Sequence, residues 1–241
     1  MQRNIFKNVM ALAIVAVVSL GSLSTSQAVT ISTAATATVI VSSPSELAPF
    51  TVSSTDIGET NGTWSLVSGA ANFGSNVTEL NDGDKYGTQN TNVTTHSFTP
   101  SNGAIAILTL DGQFDISSIV SLTGTGQSRA GQAYTVDVSS DGSIFSFLHT
   151  VGGEPNNLDS GARETQVTIS DSISSTLATN VKALRFTFQN CCAGSSVDQS
   201  MYREIDVFVS TGGGGGVPEP ATATLAMLGL GGLLMRRKRT A

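Results

Sequence analysis

Between residues 62 and 209 the chain alternates apolar and polar positions in short runs. In residues 134–139, Tyr134, Val136 and Val138 share one parity while Thr135, Asp137 and Ser139 take the other. Successive side chains of a strand point to opposite faces, so this pattern predicts a half-buried strand with the first set inward. The same reasoning turns Leu184, Phe186 and Phe188 inward in residues 181–189, with Arg185 and Thr187 outward. It also puts Ile205, Val207 and Val209 on one face of residues 204–209. Further strands are predicted over 62–67, 104–110, 116–122, 144–150 and 165–170. Turn signals separate them: Asn81-Asp82-Gly83, Asp111-Gly112, Asp141-Gly142, Gly152-Gly153 and Asn156-Asn157. About eight strands without helical periodicity predict an all-β fold, a jelly-roll β-sandwich. Each inward Leu, Ile, Val or Phe contributes about 1.5–3 kcal/mol on burial.

Both ends break this pattern. Residues 1–28 read as a secretory signal peptide: Arg3 and Lys7 precede an apolar stretch over 9–20, and Ser26-Gln27-Ala28 supplies small residues for cleavage after Ala28. The partners this implies are the Sec machinery and signal peptidase. Residues 29–44 are rich in Thr, Ala and Ser with no clear period and read as a loose leader; the sandwich is predicted over 45–210. A glycine linker over 211–216 leads to Val217-Pro218-Glu219-Pro220. An apolar stretch over 221–235 follows, and then Arg236-Arg237-Lys238-Arg239. Cations after an apolar segment hold that end in the cytoplasm, which leaves the body outside the membrane. Fifteen apolar residues interrupted by Gly229, Gly231 and Gly232 fall short of the roughly 20 that a spanning helix needs, which suits transient rather than permanent anchoring.

The order of these three parts over residues 217–241 resembles the PEP-CTERM sorting signal. That resemblance implies cleavage near Pro218-Glu219-Pro220 by an exosortase, in Gram-negative bacteria that make exopolysaccharide. It further implies transient residence in the inner membrane and a destination at the cell surface or in the extracellular matrix.

Charge sharpens the picture. Six of the 12 basic residues lie in the two terminal segments, and all 18 acids lie between Glu46 and Glu219, so the body carries about −12. Such a body repels nucleic acid.

Several strands resemble, in order, those of the discoidin-like or coagulation-factor type C family, whose fold is a galactose-binding-like jelly roll. Leu80-Asn81-Asp82-Gly83 resembles that family's early Asp-Gly loop, and residues 105–110 with 116–122 its paired apolar strands. Residues 134–142 end in the Ser-x-Asp-Gly of the family's hairpin, residues 181–188 resemble its penultimate strand, and Tyr202-Arg203-Glu204-Ile205-Asp206-Val207 its closing strand. The family's terminal Cys pair is missing, and Phe145 or Phe147 stands where a Trp often follows the hairpin. The resemblance implies a structural Ca²⁺ where the Asp-Gly loop meets the last strand. Asn81, Asp82, Asp84 and Glu204 are the candidate ligands, with loop carbonyls completing an oxygen shell. The competing reading is a tight Asn-Asp-Gly turn with Glu204 paired to a neighbouring Arg.

The resemblance also implies carbohydrate binding by loops at one end of the sandwich. Tyr86, His96, Arg129 and Asn156 are the candidates, because a sugar site needs an aromatic face beside hydrogen-bonding groups. Against this, a loop Arg can simply be solvated. Trp64 alternates with Leu66 in a predicted strand and belongs to the core. The adjacent Cys191 and Cys192 can form a vicinal disulfide, join two chains or stay reduced. No nucleophile elbow, His-Glu-x-x-His or phosphate-cradling glycine loop is present, which argues against an enzyme. The expectation is a non-catalytic surface or matrix protein that binds extracellular polysaccharide. The alternatives are a purely structural exopolysaccharide-matrix component and a glycoside-acting enzyme.

Overall fold

The computed structural model describes residues 27–41, 50, 52–83, 97–125, 130–154, 163–191 and 200–210. These belong to one unit spanning residues 27–213. Its strands are β1 (Thr30–Ile31), β2 (Ala35–Val41), β3 (Gly62–Ser68), β4 (Ile105–Thr125), β5 (Gln132–Ser139), β6 (Ser146–Glu154), β7 (Arg163–Asp171), β8 (Ala178–Phe188) and β9 (Tyr202–Val209). One short helix, α1 (Ile57–Asn61), precedes β3, and two 3₁₀ turns cover Asn72–Gly74 and Val77–Leu80. Among the described residues no helix is long and apolar enough to cross a membrane. The sorting residues Val217, Pro218, Glu219, Pro220, Arg236, Arg237, Lys238 and Arg239 lie outside the described residues.

β4 ties the fold together. Its first part, Ile105–Thr109, lies between β3 and β8, and its last part, Ser118–Thr123, lies between β7 and β9. Register breaks flank Phe114, and the predicted turn Asp111-Gly112 sits at this bend. The two strands expected over 104–110 and 116–122 are therefore one strand that passes from one layer to the other, as strands do at sandwich corners. The first layer runs β6-β5-β8-β4-β3 and the second β2-β7-β4-β9, with β1 added to β8. All pairings are antiparallel.

The inner faces meet as the alternation predicted. Tyr134, Val136 and Val138 of β5 and Leu184, Phe186 and Phe188 of β8 are fully buried. From the facing layer come Ile205 and Val207 of β9 and Ile119 of β4, also fully buried. Phe188 and Tyr202 pack across the layers with ring centroids 4.8 Å apart, and Tyr134 meets Tyr202 at 5.9 Å. Trp64 is buried against Phe186, with centroids 5.3 Å apart, as its alternation with Leu66 predicted. Tyr134 Oη lies 2.7 Å from Ser121 Oγ, which meets the need of a buried phenol for a polar partner.

Four expectations are corrected. Residues 29–44 are not simply a loose leader: β1 and β2 arise there, and β2 pairs with β7 through seven consecutive residues. Its Thr, Ala and Val residues suit an edge strand, whose weak apolar contrast hides it from a periodicity test. A helix is present after all, five residues long and too short to show a period. Ser139 is buried rather than outward, because its hydroxyl donates to Asp141 Oδ1 at 2.9 Å and closes the following turn. Val209 shares parity with Ile205 and Val207 but is 36% exposed, because it lies at the end of β9.

Strand direction sorts the connections into two ends. At one end Gly124 pairs with Glu164, Gln132 with Glu154, and Phe98 bridges to Tyr202. These strand ends carry the connections through 84–96, 126–129, 155–162 and 192–199, which lie outside the described residues. At the other end the β4 bend joins the β5–β6 and β7–β8 turns. Gln113 Nε2 donates to Ser140 O at 2.9 Å, the Asn180 amide to Asp115 Oδ1 at 3.0 Å and the Ser210 amide to Asp115 O at 2.8 Å.

Candidate functional site

Five carboxylates gather where the chain before β3, the Asp-Gly loop and β9 meet: Asp56, Glu59, Asp82, Glu204 and Asp206. Each is placed by a local rule. Glu204 and Asp206 are two apart on β9, so they share the face opposite Ile205 and Val207. Asp56 caps α1, accepting the Gly58 amide at 2.7 Å through Oδ1. The same oxygen accepts the Val207 amide at 3.0 Å, which pins the cap to the edge of β9. The Ser53 amide donates to Asp206 Oδ2 at 3.1 Å, a second stitch to that strand. Glu59 follows one turn after Asp56 on α1. Gly83, at φ +66°, closes the Asp82 loop, and a Cβ there would come within 2.6 Å of Glu59 Oε1. Glycine thus serves both the backbone conformation and the close approach.

Burial makes this cluster electrostatically costly. Glu204 is 1% exposed, and neither of its carboxylate oxygens has a hydrogen-bond partner among the described residues. Asp206 Oδ1, Asp56 Oδ2 and Glu59 Oε2 are likewise buried without a hydrogen bond. Burial, then the charges of Asp206, Asp82, Asp56 and Glu59, push the Glu204 carboxyl up to about 10. Burial, together with Asp56 and Glu59, raises Asp206 to about 7 even though the Ser53 amide pulls the other way. Asp56 and Glu59 are raised as well, both chiefly by burial. Isolated buried carboxylates either hold protons or find cations.

The residues expected as metal ligands divide. Glu204 and Asp82 do come together electrostatically, whereas Asp84 lies outside the described residues. Asn81 acts as a clamp, donating from Nδ2 to Gly58 O at 2.9 Å. Among the described residues the competing pairing of Glu204 with an Arg is not found: adjacent Arg203 donates from Nε to Gly124 O at 2.9 Å. Sequence reasoning missed Asp56, Glu59 and Asp206. The x-Glu-x-Asp-x alternation of β9 and the Asp-x-x-Glu spacing of a capped helix were the available signals. Among the described residues no three His, Cys, Asp or Glu side chains converge as a ready metal-binding group. The cluster is therefore a set of carboxylates coupled through their charges rather than a coordination shell.

The expected sugar-site residues Tyr86, His96, Arg129 and Asn156 all lie outside the described residues, on connections whose strand ends meet at one end of the sandwich. Cys191 is buried and disulfide-bonded, and Cys192, the only other cysteine, lies outside the described residues. At the N-terminal side, Ala28 is exposed, two residues before β1.

The described architecture is that of a jelly-roll-like β-sandwich. No protein-family model and no curated protein matches the chain. Among solved structures it is similar to CBM32-5 of a family 89 glycoside hydrolase from Clostridium perfringens, solved with GalNAc-β-1,3-galactose. Identity is 16% over 64% of this chain and 100% of that one, with a TM-score of 0.44. The family 32 carbohydrate-binding module of NanJ from the same organism, solved with galactose, is 17% identical over 64% and 97% of the chains, with a TM-score of 0.42. A third, CBM32-3 of a family 31 glycoside hydrolase from C. perfringens, is 15% identical over 64% and 94%, with a TM-score of 0.44.

Proposed function

We propose that the chain is an exported, non-catalytic β-sandwich module, stabilised by a bound Ca²⁺, that binds extracellular carbohydrate through the loops at one end. The observation that carries the cation is Glu204, buried and unpartnered beside four other carboxylates. Glu204 and Asp82, with loop carbonyls, are the candidate ligands; among the described residues Asp56, Glu59 and Asp206 act on Glu204 through their charge and do not converge with it as a metal-binding group. Carboxylate and carbonyl oxygens are hard donors, the set that Ca²⁺ takes in six- to eight-fold coordination. The ion would supply positive charge that offsets the buried carboxylates, and it would tie the Asp82 loop to β9. Its role is structural and no reaction step depends on it. The carbohydrate reading is supported by the five family-like motifs in order and by the meeting of four loop-bearing strand ends at one end of the sandwich. Export, and sorting to the cell surface or matrix, rest on the two terminal segments.

Thermal unfolding of the purified protein tests the cation. A ligand at 100 times its Kd adds about 2.7 kcal/mol, which at this size raises Tm by about 5–10 °C. We expect Ca²⁺ to produce such a rise in the wild type, a chelator to reverse it and Glu204→Gln to abolish it. An unchanged wild-type Tm refutes the cation. Glycan-array binding tests the loop end: the wild type should retain a discrete set of glycans and Arg129→Ala should lose about tenfold or more in affinity, the weight of one charged hydrogen bond. Equal binding by the variant removes Arg129 from the site. No binding by either protein favours the structural matrix role.

A further inference from the structure

The outward surface of the first layer carries a built group that neither the core nor the loop end uses. Strand register sets its side chains in rows. One row crosses all five strands. Phe147 of β6 stands opposite Asp137 of β5, Asp137 opposite Arg185 of β8, Arg185 opposite Ile107 of β4, and Ile107 opposite Ser65 of β3. Directly opposed residues have Cβ atoms about 4.5–5.5 Å apart, so neighbours along the row are within contact. Asp137 and Arg185 are joined: Arg185 Nε and Nη2 donate to Asp137 Oδ2 at 3.0 and 2.9 Å. The ring of Phe145 lies over the guanidinium, its centroid 4.5 Å from Cζ, which fixes the plane of the fork. Both bonds go to one carboxylate oxygen. Asp137 Oδ1 and Arg185 Nη1 therefore have no hydrogen-bond partner among the described residues, and 36% of the Arg185 side chain is exposed.

The rows on either side supply hydroxyls. On one side Thr150, Thr135 and Thr187 stand opposite one another in turn, followed by Ile105 and Ser68, and Thr150 Oγ1 lies 3.2 Å from Thr135 Oγ1. On the other side Thr109 pairs with Thr63, both exposed, at a cleft of about 370 Å³ that also takes in Thr60, Asn61 and Asp111. Five strands about 4.8 Å apart make this face about 19 Å across. One sugar ring covers little more than one strand spacing, so the face has room for several rings in line.

We propose that this face is a second carbohydrate site, one that takes a neutral polysaccharide chain lengthwise across the strands. It extends the carbohydrate reading of the loop end and rests on that reading. Phe147 offers its exposed ring to the apolar C–H face of one sugar. Arg185 Nη1 donates to one hydroxyl and Asp137 Oδ1 accepts from the next, so the fixed pair reads two adjacent hydroxyls. The threonine rows meet the sugars on either side. Charge selects the class of polymer. In the two full rows the charges of Asp137 and Arg185 cancel, within a body of about −12, so an acidic chain gains nothing here and is repelled by the rest. A protein partner needs large apolar anchors at the centre of its contact. Apart from the ion pair, Phe147 and the half-buried Ile105 and Ile107, these rows hold only Ser and Thr.

Affinity gel electrophoresis of the full-length protein in mixed-linkage β-glucan, galactan and mannan, with alginate as the acidic control, tests this. Phe147 is 61% exposed, so Phe147→Ala should melt with the wild type. We expect at least one neutral polymer to retard the wild type and alginate to leave it unmoved. Phe147→Ala should bind that polymer about tenfold more weakly, the loss of one ring stack. Phe147→Trp should restore binding and shift its emission when the polymer is added, over the constant background of buried Trp64. Equal retardation of Phe147→Ala and wild type overturns the face. So does a wild type that no neutral polymer retards although short oligosaccharides bind it on the array; either result leaves the loop-end reading intact. No binding to polymer or oligosaccharide overturns both. Retardation by alginate alone overturns the neutral chain. A wild-type dimer that Phe147→Ala converts to a monomer in light scattering assigns the face to a second copy and overturns the polysaccharide.

Discussion

Glu204 concentrates the chemistry of the molecule in one side chain. Its folded-state carboxyl titrates near 10 and that of Asp206 near 7, against ordinary values of 4.5 and 3.8. The folded state therefore binds protons that the unfolded chain has already released, so stability falls as pH rises between the two values. Asp141 and Asp171 shift the opposite way, but their window lies on the acid side of the ordinary carboxylate range. In a chelator we expect Tm to drop steadily from about pH 5 to about pH 9. With saturating Ca²⁺ the drop should flatten, because the ion replaces the protons and favours the ionised carboxylates. Melting curves across that range, with and without Ca²⁺, check this; a Tm independent of pH in chelator would count against burial of these charges. Part of this site is legible in the sequence. Glu204 and Asp82 follow from the likeness of two short motifs. Asp56 and Glu59 do not, because a five-residue helix has no period, and its proximity to β9 depends on the Asp56 bond to the Val207 amide.

Among the elements, the internal strands were readable because each has one deeply buried face, and β5 alternates over Tyr134–Val138 and β8 over Leu184–Phe188. β2 was not. On its two faces stand Ala35, Ala37 and Val39 against Thr36, Thr38 and Ile40, a contrast too weak to assign a face. Only its pairing with β7 fixes it. The β4 bend was misread as a break for a similar reason: Asp-Gly marks a change of direction, while continuity of the ladder is a tertiary fact. The strand reading of 29–41 has a measurable consequence. Deleting these residues removes the β2–β7 ladder and the core contacts of Ile31 and Val39, both packed on the core cluster. Partial burial of two such side chains contributes about 3 kcal/mol. For a domain of this size that lowers Tm by about 6–12 °C. A merely attached leader would leave the melting curve where it was.

For the whole molecule the governing feature is polarity. The strand ends that carry the candidate sugar loops lie at one end, while β1 and the exit at Ser210 lie at the other. Both processing sites inferred from the sequence lie, in chain order, beyond the ladders of the described residues. The Ala28 carbonyl accepts from Asn180 Nδ2 at 3.4 Å, an exposed contact, and the first ladder residue is Thr30. Among the described residues, cutting after Ala28 removes none that is paired in a ladder. Among the described residues the last paired one is Val209, so a cut near Pro218-Glu219-Pro220 likewise leaves the described ladders whole. We therefore expect processing at both ends without loss of stability, giving a native product that starts at Val29 and lacks Arg236 to Arg239. Intact mass of protein recovered from its own cells reads both cuts at once, and melting of that product against the unprocessed chain reads the energetic claim. A native mass that still contains the four terminal cations rules out the sorting account. A processed form that melts well below its precursor would mean that the terminal segments support the sandwich beyond its described ladders.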